Sequence, residues 1–388
     1  MIRHIAVEYT AGIAQGGGVG RYTRGLVAAL VALKEDEIYT LVHARDVDPD
    51  SAAPWPPGTR RRTWPFSQRH MALFWHRLGV PLAAERFLGP VDVFFSPDFV
   101  LPPLRRARGV VTVHDLSFLA APTFHEPGLR RYLARAVARS VRRAEHIFAD
   151  SEFTKRELER LLNVTANRVH VVYPGVASRF RPYDPTLEAD RAHLEQVRAA
   201  FGLHIPFILS VGTLEPRKNI DGLIRAYAEL RRRGLTRHEL VIAGGRGWLN
   251  HERELYALVD ALGLGGHVLF LGYVDDALLP ALYNLADLFA FVSHYEGFGL
   301  PVLEAMACGV PTVCAHTTSL PEVGGEAVLY VDDPKDTAAI ADALARGLED
   351  EALREHLRHA GPHQAAQFTW EAAARRARSV LVGTGGGR

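Results

Sequence analysis

The chain is short of cysteine, lysine, net charge and long apolar runs, and each shortage removes a class of function. Two cysteines, Cys308 and Cys314, stand among 388 residues. Two thiols make no disulfide framework, and neither their spacing nor their neighbours suggest a metal ligand set. The expectation is a reducing, cytoplasmic setting. There are four lysines, an arginine bias that genome composition can produce by itself. A net charge of +1 gives no overall attraction to nucleic acid. No apolar run approaches the ~20 residues that span a bilayer. The opening Ile2-Arg3-His4-Ile5-Ala6-Val7 reads as a strand, with no signal peptide visible.

What is present is an alternating pattern long enough for two domains with full cores. Strand-like runs near Ile5–Val7, Ile38–Val42, Val91–Phe95, Val110–Val113, His146–Ala149 and Val169–Val172 are separated by helical patterns, among them Tyr22–Leu33 and Gly128–Arg143. A second series follows, near Phe207–Val211, Leu240–Ala243, Val268–Leu271, Leu288–Val292, Thr312–Cys314 and Val328–Val331, with helices that include Ile220–Gly234 and Glu252–Leu262. Such alternation predicts α/β domains, parallel sheets covered by helices on both faces. The polar, proline-containing stretch from Tyr173 to Pro206 is the expected join, giving domains 1–185 and 186–367 and a last helix over 368–382. The terminal glycine-rich stretch from Gly383 is expected to be disordered. The first half carries an excess of eight positive charges and the second an excess of seven negative ones. A basic first half fits an anionic acceptor or a membrane surface.

The densest signal is Ser293-His294-Tyr295-Glu296-Gly297-Phe298-Gly299-Leu300-Pro301-Val302-Leu303-Glu304. It follows a strand-length apolar run, and Pro301 and Gly309 suit a helix start and stop. Glu296 therefore lies on the loop at a C-terminal strand end, and Glu304 about one turn into the next helix. Gly297 and Gly299 let the backbone approach a ligand closely. A helix start is a natural seat for phosphate. Two carboxylates flanking such a seat suit a sugar nucleotide. After the strand Phe207–Val211, Gly212-Thr213-Leu214-Glu215-Pro216-Arg217-Lys218-Asn219 puts Arg217 and Lys218 where cations reach a phosphate pair. Gly16-Gly17-Gly18-Val19-Gly20 opens the first long helix without the dinucleotide-binding register. Val110-Val111-Thr112-Val113-His114-Asp115 ends a strand with His114 at its tip.

Together these segments resemble the retaining glycosyltransferases of family 4. The resemblance covers nearly the whole chain and is strongest from Phe207 to Asp333. It implies the GT-B fold: two Rossmann-like domains facing across a cleft, with the C-terminal helix returning to the first domain. It implies catalytic roles for Glu296, His114 and Lys218. Gly17, Gly18, Arg217, Lys218, Gly244, Tyr273, Val274, Gly297, Phe298, Gly299, Leu300 and Glu304 are the implied donor-binding residues. In that reading Glu296 meets sugar hydroxyls, His114 lies against the donor sugar, and Glu304 takes the ribose. The loops at Gly244–Trp248 and Gly272–Val274 surround the nucleobase. One departure is Thr213, where many members carry arginine; Arg217 is its expected substitute.

The implied activity is transfer of a sugar from a nucleotide sugar, GDP-mannose first, to a saccharide or lipid-linked saccharide, as in bacterial mannosyltransferases of surface-polysaccharide synthesis. UDP-glucose and UDP-N-acetylglucosamine stay open. No Asp-x-Asp is placed to hold a metal on a diphosphate, so neither cofactor nor metal is expected. A GT-B sugar-nucleotide epimerase and a non-catalytic binding scaffold are the alternatives. The basic amphipathic segment Gly128–Arg143 admits two readings, an ordinary sheet-covering helix or a peripheral membrane contact. Met71–Leu78, with its aromatics, is the second candidate for lipid or acceptor contact.

Overall fold

The computed structural model describes residues 3–51, 55–247, 249 and 251–383. Trp248 and residues 384–388 lie outside the described residues. The chain divides into two units. Unit 1 comprises 1–122, 127–175 and 368–388; unit 2 comprises 123–126 and 176–367. The division falls at 175/176, ten residues before the join expected at 185/186.

Unit 1 holds seven parallel strands: β1 (His4–Glu8), β2 (Ile38–His43), β3 (Arg60–Thr63), β4 (Val93–Ser96), β5 (Arg108–Val113), β6 (His146–Ala149) and β7 (Val169–Val171). Their order is β3-β2-β1-β4-β5-β6-β7. Strand side chains alternate between sheet faces, and β1 shows the result. Ile5 and Val7 enter one buried cluster with Tyr22, Leu26 and Leu30 of the Gly18–Ala32 helix. Ala6 faces another, with Val137 and Val141 of the Pro127–Arg143 helix. That basic helix therefore spends its apolar face on the sheet. The Trp370–Val382 helix adds Ala373, Ala374, Ala377, Val380 and Leu381 to the first cluster. Its Trp370 ring lies so close to Gly25 that a Cβ there would come within 2.4 Å of it.

Unit 2 holds six parallel strands: β8 (Phe207–Val211), β9 (Glu239–Ala243), β10 (Val268–Gly272), β11 (Leu288–Phe291), β12 (Thr312–Ala315) and β13 (Leu329–Val331). Their order is β10-β9-β8-β11-β12-β13. β8, β11 and β12 are buried along their whole length, as central parallel strands covered on both faces must be. Among the described residues, the apolar runs of the sequence correspond to twelve of thirteen strands. The unread one is β3, Arg60-Arg61-Arg62-Thr63, whose four residues are all exposed and which pairs with β2 along one edge. An edge strand facing water needs no apolar residue, so it leaves no hydrophobic signal.

Candidate active site

In open α/β sheets, ligands bind beyond the C-terminal strand ends, where the strand order reverses. In unit 2 that reversal lies between β8 and β11. The loops leaving these strands carry the segments singled out in the sequence. Pro216–Lys218 forms a short 3-10 turn. Asn219 follows at φ +55° and donates from Nδ2 to Val292 O at 2.9 Å, fastening the two loops. The His294 N–H donates to Arg217 O at 2.8 Å, a second fastening. The helix Leu300–Ala307 begins after Gly299, whose φ of +113° only glycine tolerates easily. Pro301 sits in its first turn.

The charges meet at this point. Lys218 Nζ donates to Glu296 Oε1 at 2.7 Å and lies over the Phe291 ring. Arg217 donates from Nη1 to Glu296 Oε2 at 3.1 Å and to Tyr295 O, and from Nε to Glu215 Oε2 at 2.9 Å. Glu296 and Glu215 are each 5% exposed. Burial alone would raise the Glu296 carboxyl, but Lys218 and Arg217 outweigh it and hold the group below the usual carboxylate range. Burial pushes Glu215 up despite Arg217. Burial, then repulsion from Arg217, depresses Lys218 against the pull of Glu296. Two cations and two carboxylates thus alternate in one desolvated row. Glu215 had no role in the sequence reading, although it stands beside Arg217 in the same segment.

The other residues expected around the donor are distributed over neighbouring loops. Gly244 follows β9, and a Cβ there would come 1.8 Å from Gly212 O. Its N–H donates to Gly272 O at 2.8 Å, while the Gly212 N–H donates to Ala243 O at 2.9 Å. Glycine is thus required for backbone-to-backbone packing at Gly244. Tyr273 is 61% exposed, whereas Val274 and Phe298 are buried. Gly297 and Leu300 flank the turn into the helix. Glu304 is buried, and its Oε2 accepts from the Tyr283 hydroxyl at 3.1 Å.

Unit 1 has its own reversal, between β1 and β4. Glu8 ends β1, and Asp98 lies two residues past the end of β4. Both are half-buried. Burial pushes the Glu8 carboxyl up to about 7, with Asp98 adding to the rise and the 2.5 Å bond from Thr10 opposing it. Neither acid was singled out from sequence, because strand order decides which strand ends flank the reversal. His114 follows β5 and is 8% exposed. Its Nδ1 lies 2.7 Å from Asp150 Oδ2 and its Nε2 2.9 Å from Pro97 O. Tyr22 and Phe99 meet the ring edge-on, at 4.9 and 5.2 Å between centroids. A carboxylate and a carbonyl can only accept, so a ring bonded to both carries two protons. Burial opposes that charge, but Asp150 and then Asp98 overcome it, raising His114 to about 9. Both ring nitrogens are therefore engaged inside unit 1. Gly17 precedes the Gly18–Ala32 helix, with open space where its Cβ would be, and both Gly17 and Gly18 are exposed. Gly20 is the glycine required sterically, since a Cβ there would lie 1.8 Å from Gln15 O.

Known proteins resemble this chain over most of its length. Residues 198–364 match the model described as glycosyl transferases group 1, and residues 16–179 match glycosyltransferase family 4. The O-antigen chain mannosyltransferase B of Escherichia coli is 36% identical over 367 residues, covering 91% of this chain and 93% of the relative. Among solved structures, sucrose-phosphate synthase of Thermosynechococcus elongatus superposes with a TM-score of 0.75 at 22% identity, covering 97% of this chain and 98% of that one. Anabaena Alr3699/HepE in complex with UDP-glucose gives 0.70 at 18% identity, covering 99% and 100%. At these identities the structures speak for the fold alone. With both halves matched and a full-length relative above 30% identity, the chain belongs to the family 4 glycosyltransferases, with the two Rossmann-like domains of the GT-B fold.

Proposed function

We propose that this chain transfers mannose from GDP-mannose to a saccharide or lipid-linked saccharide, with retention at the anomeric carbon and without a metal ion. The observation that carries the reading is Glu296 clamped between Arg217 and Lys218 at the sheet reversal of unit 2. The choice of mannose is supported by the relative from Escherichia coli. A donor diphosphate competes with Glu296 for the two cations. Arg217 and Lys218 then neutralise charge developing on the leaving diphosphate, the work a metal would otherwise do. Glu296, released from them, meets the sugar and supports its oxocarbenium-like transition state. In the step itself the anomeric carbon–phosphate oxygen bond breaks and an anomeric carbon–acceptor oxygen bond forms on the same face. The acceptor proton passes to the departing phosphate oxygen. Glu304 takes the ribose hydroxyls, exchanging its bond to Tyr283. Gly244, Tyr273, Val274 and Gly297 to Leu300 line the nucleotide.

Unit 1 takes the acceptor, with Glu8 and Asp98 at its own reversal accepting saccharide hydroxyls. His114 serves as a fixed positive charge. Replacing Glu8 or Asp98 by the amide should raise the acceptor KM and leave GDP affinity unchanged; the reverse result assigns them elsewhere.

The test of the donor is thermal-shift binding of GDP, UDP, ADP and TDP, with and without EDTA. A ligand at a hundred times its Kd adds ~2.7 kcal/mol to stability. Selective stabilisation by GDP that EDTA leaves intact supports the proposal. Selectivity for UDP moves the donor to UDP-glucose or UDP-N-acetylglucosamine, and EDTA sensitivity removes the metal-free account. Turnover of nucleotide sugar without acceptor into an epimer would favour the isomerase reading, and binding with no turnover the scaffold. An inverted product anomer, read by NMR, overturns retention.

A membrane contact is favoured by one observation. Ala72–Arg77 forms a π-helical turn that buries Trp75 and His76 and leaves Leu73 39%, Phe74 37% and Leu78 64% exposed. Arg139 of the basic helix donates to His76 O and Arg77 O beside them. Exposed apolar side chains beside Arg77 and Arg139 suit an anionic bilayer surface. Among the described residues no helix is long and apolar enough to cross a membrane. Replacing Leu73, Phe74 and Leu78 by serine should abolish co-sedimentation with phosphatidylserine vesicles. Unchanged binding removes this contact.

A further inference from the structure

We infer that Thr318, with Thr317 and Ser319 beside it, is the positioning residue for Glu296, fixing the carboxylate's loop through main-chain bonds while the donor is held. The inference rests on the reading of Glu296 as the group that meets the donor sugar.

The loop leaving β12 lies against the loop leaving β11, and three consecutive hydroxyl side chains join them. Thr317 Oγ1 donates to Ser293 O at 3.1 Å. Thr318 Oγ1 accepts from the Glu296 N–H at 3.1 Å. Ser319 Oγ lies 3.0 Å from Glu296 O and 3.0 Å from Phe298 O, one donor shared by two carbonyls. Both main-chain groups of Glu296 are thus bonded to one short segment. Ser319 and Ser293 are fully buried, so no water replaces these partners when one is lost. Gly299 completes the contact, since a Cβ there would come 2.6 Å from Leu320 Cδ2.

Thr318 sits at φ +55°. A β-branched residue in the left-handed region is a genuine outlier that persists only where its surroundings impose it. Here the imposed conformation is the one that aims Oγ1 at the Glu296 amide.

The need for main-chain anchoring follows from the charge row. The bonds holding the Glu296 carboxylate run to Arg217 and Lys218, the two cations that a diphosphate claims. When they turn to the donor, the carboxylate loses both of its ion-pair tethers at the moment its placement matters. The bonds from Thr318 and Ser319 act on the backbone and are untouched by that exchange.

The test is steady-state turnover of GDP-mannose by the full chain, with GDP affinity and Tm measured on the same samples. Thr318→Val keeps the shape and β-branching and removes the acceptor. It should lower kcat by about tenfold to a hundredfold, the scale of a small misplacement of a reacting group, and leave GDP affinity near native, with a lower Tm from the unpaired Glu296 N–H. Thr318→Ser, which keeps the hydroxyl, should restore kcat. Thr318→Gly adopts the same φ without strain and lacks the hydroxyl, so it should be stable and equally slow, covering the case in which the valine variant folds poorly. Native kcat in the valine and glycine variants, or an equal loss in the serine variant, overturns the inference. Glu296→Gln separates the two levels. If it turns over normally, the reading of Glu296 fails; if it is slow while Thr318→Val is fast, the positioning role alone fails.

Discussion

His114 shows how two short bonds fix a charge. Its partners Asp150 Oδ2 and Pro97 O accept only, and Asp98 adds its field while Tyr22 and Phe99 close the ring in. Nitrogen NMR should therefore find both ring nitrogens protonated at neutral pH, with titration near 9. The linkage sign follows. A folded pKa raised above the unfolded ~6.5 contributes stability that is complete below ~6.5 and lost as pH rises through about 9. Asp150→Asn should remove most of that loss, flattening the alkaline limb of the stability curve. A neutral single-proton ring at pH 7 would exclude the fixed-cation role. In unit 2, Glu296→Ala should cut turnover far more than donor affinity, because its partner charge develops in the transition state. Lys218→Ala should instead weaken GDP binding itself, and calorimetry showing unchanged affinity would remove its phosphate role. Arg217, Lys218 and Glu296 were legible because each lies in a contiguous, patterned segment after an apolar strand. Glu215, Glu8, Asp98 and Thr318 were not. Their place depends on which loops meet, and strand order sets that.

Among the elements, legibility followed burial. β8, β11 and β12 are buried throughout and read as apolar runs of strand length. β3 is four exposed residues, three of them arginine, and its strand geometry comes from pairing with β2 rather than from its own side chains. The Met71–Leu78 stretch read as a segment with aromatics; its π-helical winding, with the Leu78 N–H donating to Leu73 O at 2.8 Å, depends on which side chains tertiary contacts bury. The loops of unit 2 rest on a glycine for a steric reason. Gly244→Ala would force a Cβ against Gly212 O, which is backbone and cannot swing aside. It should lower the Tm of unit 2 and GDP binding together. Gly17→Ala, in open space, should leave stability near native.

On the scale of the whole molecule, the two halves are unequal in how they close. Unit 2 is nearly one continuous stretch, whereas unit 1 needs the Trp370–Val382 helix for its core. Arg378 pairs with Glu37 at 2.6 Å, and the Phe368 ring meets Tyr173 edge-on at 5.6 Å, sealing that helix in place. A chain ending after Gln367 should lose cooperative unfolding of unit 1 while the remaining transition still shifts with GDP; two intact transitions in calorimetry would contradict this. The sequence foretold the returning helix through its resemblance, not through any local pattern, since an amphipathic helix carries no address. The same arrangement sets an order on synthesis. Domains usually finish in the order they leave the ribosome, at about 5–20 residues per second. Here the segment begun first must wait, with the core around Ile5, Val7 and the Gly18–Ala32 helix incomplete, until the Trp370–Val382 helix emerges on the order of tens of seconds later. Unit 2, begun second, is the first that can close, so the nascent second unit precedes its older neighbour to the native state.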